Sequence, residues 1–260
     1  MIPPSADTGL KLHRGGAFGE VSNSAPHWDA TPEQCVSLSG TPLAIKYITS
    51  GVPALFAPRP SRGGARNRAN RESVGLTAAQ VRGLIAAAAH AKAVGLPFTR
   101  FVSVHWEAAG VPLPDMPRAT GRFLDLLTKA LARHGSRTAW LFIHENGPGK
   151  GAHVHILAHI PPNLVAVVTR LQRGWLKSIT GQAYKARVIH SRPVGGRLGL
   201  EIANPDAHAA NLATAMAYVL KGADGDAAAT FDLPRLAPGG RILGKRCGTS
   251  QNIGPAARRK

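Results

Sequence analysis

The sequence predicts a domain of the α+β class, in which helices pack on an antiparallel β-sheet. Four runs of residues are rich in β-forming or alternating apolar side chains, and helical segments separate them. The second and third runs are joined by a short Asn-, Gly- and Pro-containing loop, as in a β-hairpin. In chain order, the core reads β-α-β-β-α-β-α over residues 98–222.

A helix is predicted ahead of this core. Thr77 and Gln80 have the spacing of a capping box, and an Ala-rich run follows them. Gly95 and Pro97 end the helix, because glycine favours helix termination and proline cannot continue one. The first core strand then follows at Phe98–Trp106, where polar and apolar residues alternate.

The remaining elements follow in order. Leucines on one stripe predict a helix at Ala119–His134, and the hairpin follows at Arg137–Ile160. A helix opens at Pro161 and runs to about Ser178, Tyr184–Arg192 forms the fourth strand, and Asn204 caps a last helix. The first six elements match a ferredoxin-like arrangement. Its helices lie on one face of the sheet, so we expect the other face to be free for a site.

Basic segments rich in Gly and Pro flank this core. Residues 1–75 are predicted to be mostly disordered, with a short strand at Leu43–Thr49, and residues 225–260 to form a basic tail, which leaves a domain at 76–224. The net charge of +18 favours a polyanionic partner, nucleic acid before anionic membrane. The expected DNA-contacting residues are Arg62, Arg66, Arg68, Lys245 and Arg246. A solvated linker and a loosely docked tail are the alternatives for these two segments.

The cysteine and hydropathy patterns favour a cytoplasmic protein without a membrane anchor. Cys35 and Cys247 are far apart, so neither a zinc motif nor a disulfide framework is predicted. The first residues lack the apolar core of a secretory signal, and no apolar run is long enough to span a bilayer.

The hairpin carries the most informative chemistry. His153 and His155 are separated by one residue, so both imidazoles project from the same face of a strand. Two neutral imidazoles on a rigid face suit a divalent metal. If residues 146–152 form the loop, Glu145 lies opposite His153 and can complete a three-ligand set. A register slip of one residue would present His144 instead.

The His-hydrophobic-His pair resembles the hallmark of the HUH endonucleases, which comprise rolling-circle replication initiators, conjugative relaxases and single-strand transposases. Glu145 is placed like the metal ligand in the viral replication-initiator branch. A nucleotide-hydrolase motif of three alternating histidines is excluded, because Leu157 occupies the third position. The resemblance implies the HUH fold and an Mg²⁺ or Mn²⁺ ion held by Glu145, His153 and His155.

The last predicted helix carries Tyr218 and Lys221, which are three residues apart and share a face. This Tyr-x-x-Lys pattern resembles the third motif of the replication initiators, with Tyr218 as nucleophile. Because a tyrosine pKa is about 10, we expect Lys221 to favour the phenolate or to offset phosphate charge. Simple packing of the ring and a helix-terminal cation are the alternatives. The first motif departs from the family, so His105 or Glu107 is expected to support the ligands or to supply the third one.

The resemblance implies a site-specific single-stranded DNA endonuclease that forms a 5′-phosphotyrosine and initiates rolling-circle replication of a plasmid or phage. Its partners would be single-stranded or hairpin origin DNA and a host helicase, since no G-x-x-x-x-G-K-[ST] nucleotide loop is present. A relaxase or transposase of the same family is one alternative. The other is a non-catalytic ferredoxin-like nucleic-acid-binding module, which would require stacking aromatics, yet aromatics are 5% of the chain.

Overall fold

A five-stranded antiparallel sheet organises residues 71–259, the part of the chain described by this computed structural model. The strands are β1 (Glu72–Ser73), β2 (Arg100–His105), β3 (Trp140–Gly147), β4 (Gly151–Ala158), β5 (Ile189–Pro193), β6 (Ile242–Leu243) and β7 (Cys247–Thr249). The helices are α1 (Ala78–Ala93), α2 (Met116–Arg133), α3 (Val165–Thr180), α4 (Leu200–Ala203), α5 (Pro205–Leu220) and α6 (Gly225–Phe231). The predicted α+β class and antiparallel sheet are confirmed.

The strand order in this sheet is β5-β2-β4-β3-β7, and every neighbouring pair is antiparallel. This arrangement fits a ferredoxin-like kind of fold, with β7 added outside β3. In the β3–β4 hairpin, Glu145 lies directly opposite His153, as predicted. The ladder continues to the pair Gly147–Gly151, so the turn is residues 148–150 and is shorter than expected.

Alternation along the strands creates two apolar layers. One face of the sheet packs against α2 and α3 through residues such as Val154 and Ile156. The opposite face packs against α1 and α5 through Phe101 and Leu157. The expectation of an open second face is therefore wrong, because the apolar faces of α1 and α5 also need burial and find it here.

The caps read from the sequence begin the helices as expected. At α1, the Thr77 hydroxyl accepts a hydrogen bond from the Gln80 backbone N–H, and the Gln80 side chain accepts one from the Thr77 N–H. At α5, the Asn204 side chain accepts from the Ala207 N–H at 3.0 Å. No helix within residues 71–259 combines the length and the apolar character needed to cross a lipid bilayer.

A helix and a strand begin at later residues than predicted. The helix expected to open at Pro161 first makes a 3-10 turn at Pro162–Leu164 and then continues as α3. The fourth strand begins at Ile189 rather than Tyr184. Arg187 adopts a positive φ of 65° in the preceding turn, which an extended strand cannot accommodate.

Segments outside the predicted 76–224 boundaries belong to the same fold. Glu72–Ser73 pairs with Ile242–Leu243, and Cys247–Thr249 pairs with β3. Ile242 is fully buried, so this part of the chain is not merely a tail on the surface. The described domain extends beyond both boundaries. The predicted strand at Leu43–Thr49 and the rest of residues 1–70 lie outside the described residues.

Candidate metal centre and tyrosine site

The three predicted metal ligands converge at one end of the β3–β4 hairpin. Glu145 Oε2 lies 3.4 Å from His153 Nε2 and 3.7 Å from His155 Nε2. All three residues are buried, with 4%, 2% and 5% of their surface exposed, respectively. Cross-strand pairing and the two-residue period of β4 bring them onto the same face.

The separations of these atoms suit one divalent cation. Ligand atoms that lie about 2.1 Å from a shared ion are about 3.0 to 3.4 Å apart when they meet it at 90° to 109°. The observed separations of 3.4 and 3.7 Å need only a small contraction. Among the described residues, Glu145, His153 and His155 form the cluster able to hold a metal ion, with their ligand atoms within 4.8 Å of one another.

Hydrogen bonds at the far side of each ring orient both imidazoles towards Glu145. His153 Nδ1 donates to the Gly151 carbonyl oxygen at 2.8 Å, which leaves the lone pair on Nε2. His155 Nδ1 lies 2.8 Å from the Ser103 hydroxyl. His155 Nε2 is buried and has no hydrogen-bond partner. A buried ring nitrogen of this kind is what a metal ligand leaves when no ion is bound.

The protonation states also suit metal binding. Burial lowers the pKa of His155 to about 4, so its imidazole is neutral at pH 7. Burial alone would raise the pKa of Glu145, but the neighbouring side chains of His153 and His155 and the charge of Lys221 outweigh it and hold that pKa well below its usual range. The site therefore presents a neutral imidazole at His155 and a carboxylate at Glu145.

Lys221 forms an ion pair that the sequence did not predict. Its ammonium donates to both carboxylate oxygens of Glu145 in a buried ion pair. Lys221 Nζ also lies 4.4 Å from the centre of the Tyr218 ring, over its face. The expectation that Lys221 favours the phenolate or offsets phosphate charge stays a prediction, and in this structure Glu145 neutralises the ammonium.

Tyr218 is half-buried beside the histidines. Its ring centre is 5.2 Å from that of His155 and 5.8 Å from that of Phe101, in edge-to-face contacts. Burial raises the pKa of the Tyr218 phenol, and the nearby charge of Glu145 raises it further, whereas Arg235 and Arg192 lower it. The phenol is therefore protonated at neutral pH.

His144 belongs to the other face of β3, which settles the choice of register. Its Nδ1 lies 2.7 Å from the Lys245 carbonyl oxygen, and its Nε2 lies 2.8 Å from the Thr120 hydroxyl on α2. Both ring nitrogens are thus used inside the layer formed by α2 and α3. Glu145, and not His144, faces the histidine pair.

The two candidates on the first core strand have supporting positions. His105 pairs with His153 across β2 and β4, and their rings stack at 5.3 Å. Burial lowers the pKa of His105 to about 4, so it is neutral too. Glu107 Oε2 accepts a hydrogen bond from the Ala152 N–H at 2.9 Å and thereby supports the turn end of the hairpin. Neither residue belongs to the cluster that could hold a metal.

Of the five predicted DNA-contacting residues, the structure describes two, and these have different environments. Arg246 is corrected: it is 2% exposed, and its guanidinium donates to Ser73, Gly239 and Gly240, so it joins chain segments instead of facing solvent. Lys245 is exposed, with Nζ 5.6 Å from the centre of the Phe142 ring. The remaining three, Arg62, Arg66 and Arg68, lie outside the described residues.

Two exposed arginines near Tyr218 were missed by the sequence reasoning. Arg192 on β5 lies over the Phe101 ring, and Arg235, after α6, lies over the Tyr218 ring. Arg192 lies in the predicted fourth strand, but its place opposite Phe101 depends on the register of that strand against β2, which the sequence does not give. Arg235 lies after the stretch that resembles the HUH endonucleases, in a segment without hydrophobic periodicity, so no sequence pattern marked it as a site residue.

A search of protein families, curated proteins and solved structures returned no match to this chain.

Proposed function

We propose that the protein is a metal-dependent, site-specific single-stranded DNA endonuclease and strand transferase of the HUH kind. The observation that carries the proposal is the buried Glu145–His153–His155 cluster with the Tyr218 ring packed against His155. A ligand set and a nucleophilic side chain in one place are what phosphodiester transfer requires. The ferredoxin-like sheet fits the architecture that the resemblance implies.

Glu145, His153 and His155 hold the divalent cation, Mg²⁺ or Mn²⁺, in this proposal. A bound cation supplies Lewis acidity and withdraws charge from a phosphate oxygen. The residues of the site provide what the ion would need: a carboxylate, two imidazole nitrogens and little competing water, because all three side chains are buried. The rings are held by Gly151 and Ser103, so the ligand atoms are oriented before the ion binds.

Tyr218 is the nucleophile. The bond between its phenolic oxygen and phosphorus forms while the bond from phosphorus to the 3′ oxygen breaks. The phenol loses its proton, and the leaving 3′ oxygen takes one up, so the product is a 5′-phosphotyrosine and a free 3′-OH. The number of phosphodiester-type bonds is unchanged, and a later 3′-OH can reverse the step and join strands without ATP.

The biological role proposed from the resemblance is initiation of rolling-circle replication of a plasmid or phage. The substrate is single-stranded or hairpin origin DNA, and strand separation is left to a host helicase. The Tyr-x-x-Lys pattern and the glutamate ligand favour an initiator over a relaxase, whose metal site usually contains a third histidine. Here the third position of the cluster is Glu145.

The experiment uses single-stranded oligonucleotides that tile the intergenic regions of the source replicon and carry a label at the 3′ end. Each is incubated with protein and Mn²⁺ and separated on a denaturing gel. We expect the 3′ label to migrate with the protein, and a matching 5′ label to appear on a shorter free fragment. Chelator and Tyr218→Phe should both abolish the adduct. If wild-type protein forms no adduct with these DNAs or with a broad single-strand pool, the nuclease proposal is refuted.

A further inference from the structure

Two guanidinium groups lie above the aromatic rings at the nucleophile. Arg235 Cζ is 5.4 Å from the centre of the Tyr218 ring, and Arg192 Cζ is 5.3 Å from the centre of the Phe101 ring. The two rings meet edge to face with centres 5.8 Å apart. A guanidinium over a ring face is held in place by a cation–π contact, while its N–H edge remains able to donate hydrogen bonds.

The charges of these arginines are not neutralised by an acid. Within residues 71–259, no carboxylate forms an ion pair with Arg192 or Arg235, whereas Arg241 pairs with Glu72. Lys221, the other cation beside Tyr218, is already bound to Glu145. Both arginines are exposed to solvent. The uncompensated positive charge next to the phenol therefore comes from Arg192 and Arg235.

The two arginines that lie over the Phe101 and Tyr218 rings belong to different elements of the fold. Arg192 lies on β5 directly opposite Phe101 of β2, so the sheet determines its position. Arg235 follows α6, beyond the helix that carries Tyr218. They therefore flank the phenol from two elements. Two planar donors next to a nucleophile suit a tetrahedral oxyanion such as a phosphodiester, which a single ammonium would bind only as a point charge.

We propose that Arg192 and Arg235 bind the phosphodiester that Tyr218 attacks and donate hydrogen bonds to its non-bridging oxygens. This inference rests on the proposed nicking function. During attack, negative charge is redistributed over the phosphate oxygens, and donors already held in place stabilise it.

The test measures single-turnover rates of adduct formation on the oligonucleotide that wild-type protein cleaves, at saturating Mn²⁺. The variants are Arg192→Gln, Arg235→Gln and the double variant. A charged hydrogen bond contributes about 1.5–3 kcal/mol, so each single variant should react on the order of tenfold to hundredfold more slowly. Arg170→Gln, which removes an exposed arginine from α3 on the opposite side of the sheet, should match wild type.

A second measurement separates a phosphate contact from general attraction to DNA. In the Tyr218→Phe background, and with chelator present so that no cation contacts the phosphate, the same oligonucleotide is compared with one that carries a neutral methylphosphonate at the cleaved linkage. The neutral linkage should weaken binding at least tenfold when both arginines are present, and by less than twofold in the double Gln variant.

The outcomes distinguish the two proposals. If wild-type protein forms the adduct but the double variant reacts at the wild-type rate, or stays as sensitive to the methylphosphonate, the arginine assignment is wrong and the nuclease stands. If wild-type protein forms no adduct with any DNA, the nicking function fails and the arginine assignment fails with it.

Discussion

Replacing Lys221 with Met should tighten metal binding, because the Lys221 ammonium and the metal compete for the same carboxylate. Lys221 donates to both oxygens of Glu145, so an ion that approaches Glu145 meets a positive charge already bound to the same carboxylate. A hydrogen bond between charged groups contributes about 1.5–3 kcal/mol, and about 1.4 kcal/mol is a factor of ten in affinity. Lys221→Met should therefore bind Mn²⁺ roughly tenfold to hundredfold more tightly.

Isothermal titration of the apo protein with Mn²⁺ at pH 8 measures this directly and does not depend on any DNA. Lys150→Met is the matched control: it removes an exposed lysine from the hairpin turn, and that lysine makes no ion pair with Glu145. We expect its affinity to stay within about threefold of wild type, since exposed charges are screened.

Stability gives a second readout of the same competition. Without metal, Lys221→Met leaves a buried carboxylate unpaired, which costs about 3–5 kcal/mol of unfolding free energy. Saturating Mn²⁺ should restore most of that loss, since the ion replaces the ammonium. If Lys221→Met binds Mn²⁺ no more tightly than wild type, or more weakly, the competition does not exist and Lys221 helps to hold the ion.

Two further predictions concern side chains outside the ligand set. His144→Ala should lower the unfolding free energy by about 2–4 kcal/mol, as measured by denaturant titration, because two hydrogen bonds are lost and a cavity is left. The affinity of this variant for Mn²⁺ should equal that of wild type. His155→Ala, in contrast, should abolish Mn²⁺ binding. An effect of His144→Ala on Mn²⁺ affinity comparable to that of His155→Ala would contradict the assigned faces. Burial raises the pKa of the Cys247 thiol to about 11, so at pH 8 in a Cys35→Ser background its reaction with a disulfide reagent should be about a hundredfold slower in native protein than in urea. Equal rates would show that Cys247 is not protected by the fold.

The ligand set could be predicted from the sequence because short-range rules determine it. The Gly- and Pro-containing turn locates the hairpin, and strand alternation puts His153 and His155 on one face. Only the register remained open, and a slip of one residue would have exchanged Glu145 for His144. The structure places Glu145 opposite His153, and the buried hydrogen bonds of His144 with the α2 side explain why the other register is not adopted.

The partner of Lys221 could not be predicted, since it depends on the tertiary structure. Helical spacing places Lys221 beside Tyr218, but a long flexible side chain can reach several neighbours. Burial decides between them, because a buried ammonium needs a counter-charge and the nearby carboxylate of Glu145 provides it. The phenol of Tyr218 is neutral and cannot compete.

The strand at Cys247–Thr249 escaped prediction for a different reason. It is three residues long and contains a glycine, so it has too few side chains to show a period of two. The edge of β3 selects it through backbone hydrogen bonds, which leave no pattern in the sequence. The buried guanidinium of Arg246 likewise looks like any other basic residue until its carbonyl partners are known.

The chain that leads into β7 has a consequence for the stage of synthesis at which the Glu145 end of β3 is fully hydrogen-bonded. The backbone N–H groups of His144 and Asn146, on either side of Glu145, donate to the carbonyl oxygens of Arg246 and Gly239. During synthesis the N-terminal part of a chain emerges from the ribosome first, so these two acceptors emerge about ninety to a hundred residues after the strand that they support. A nascent chain that has already exposed its histidine pair would therefore still lack the support on both sides of its carboxylate. The Glu145 end of β3 therefore completes its backbone hydrogen bonds only after Arg246 has emerged.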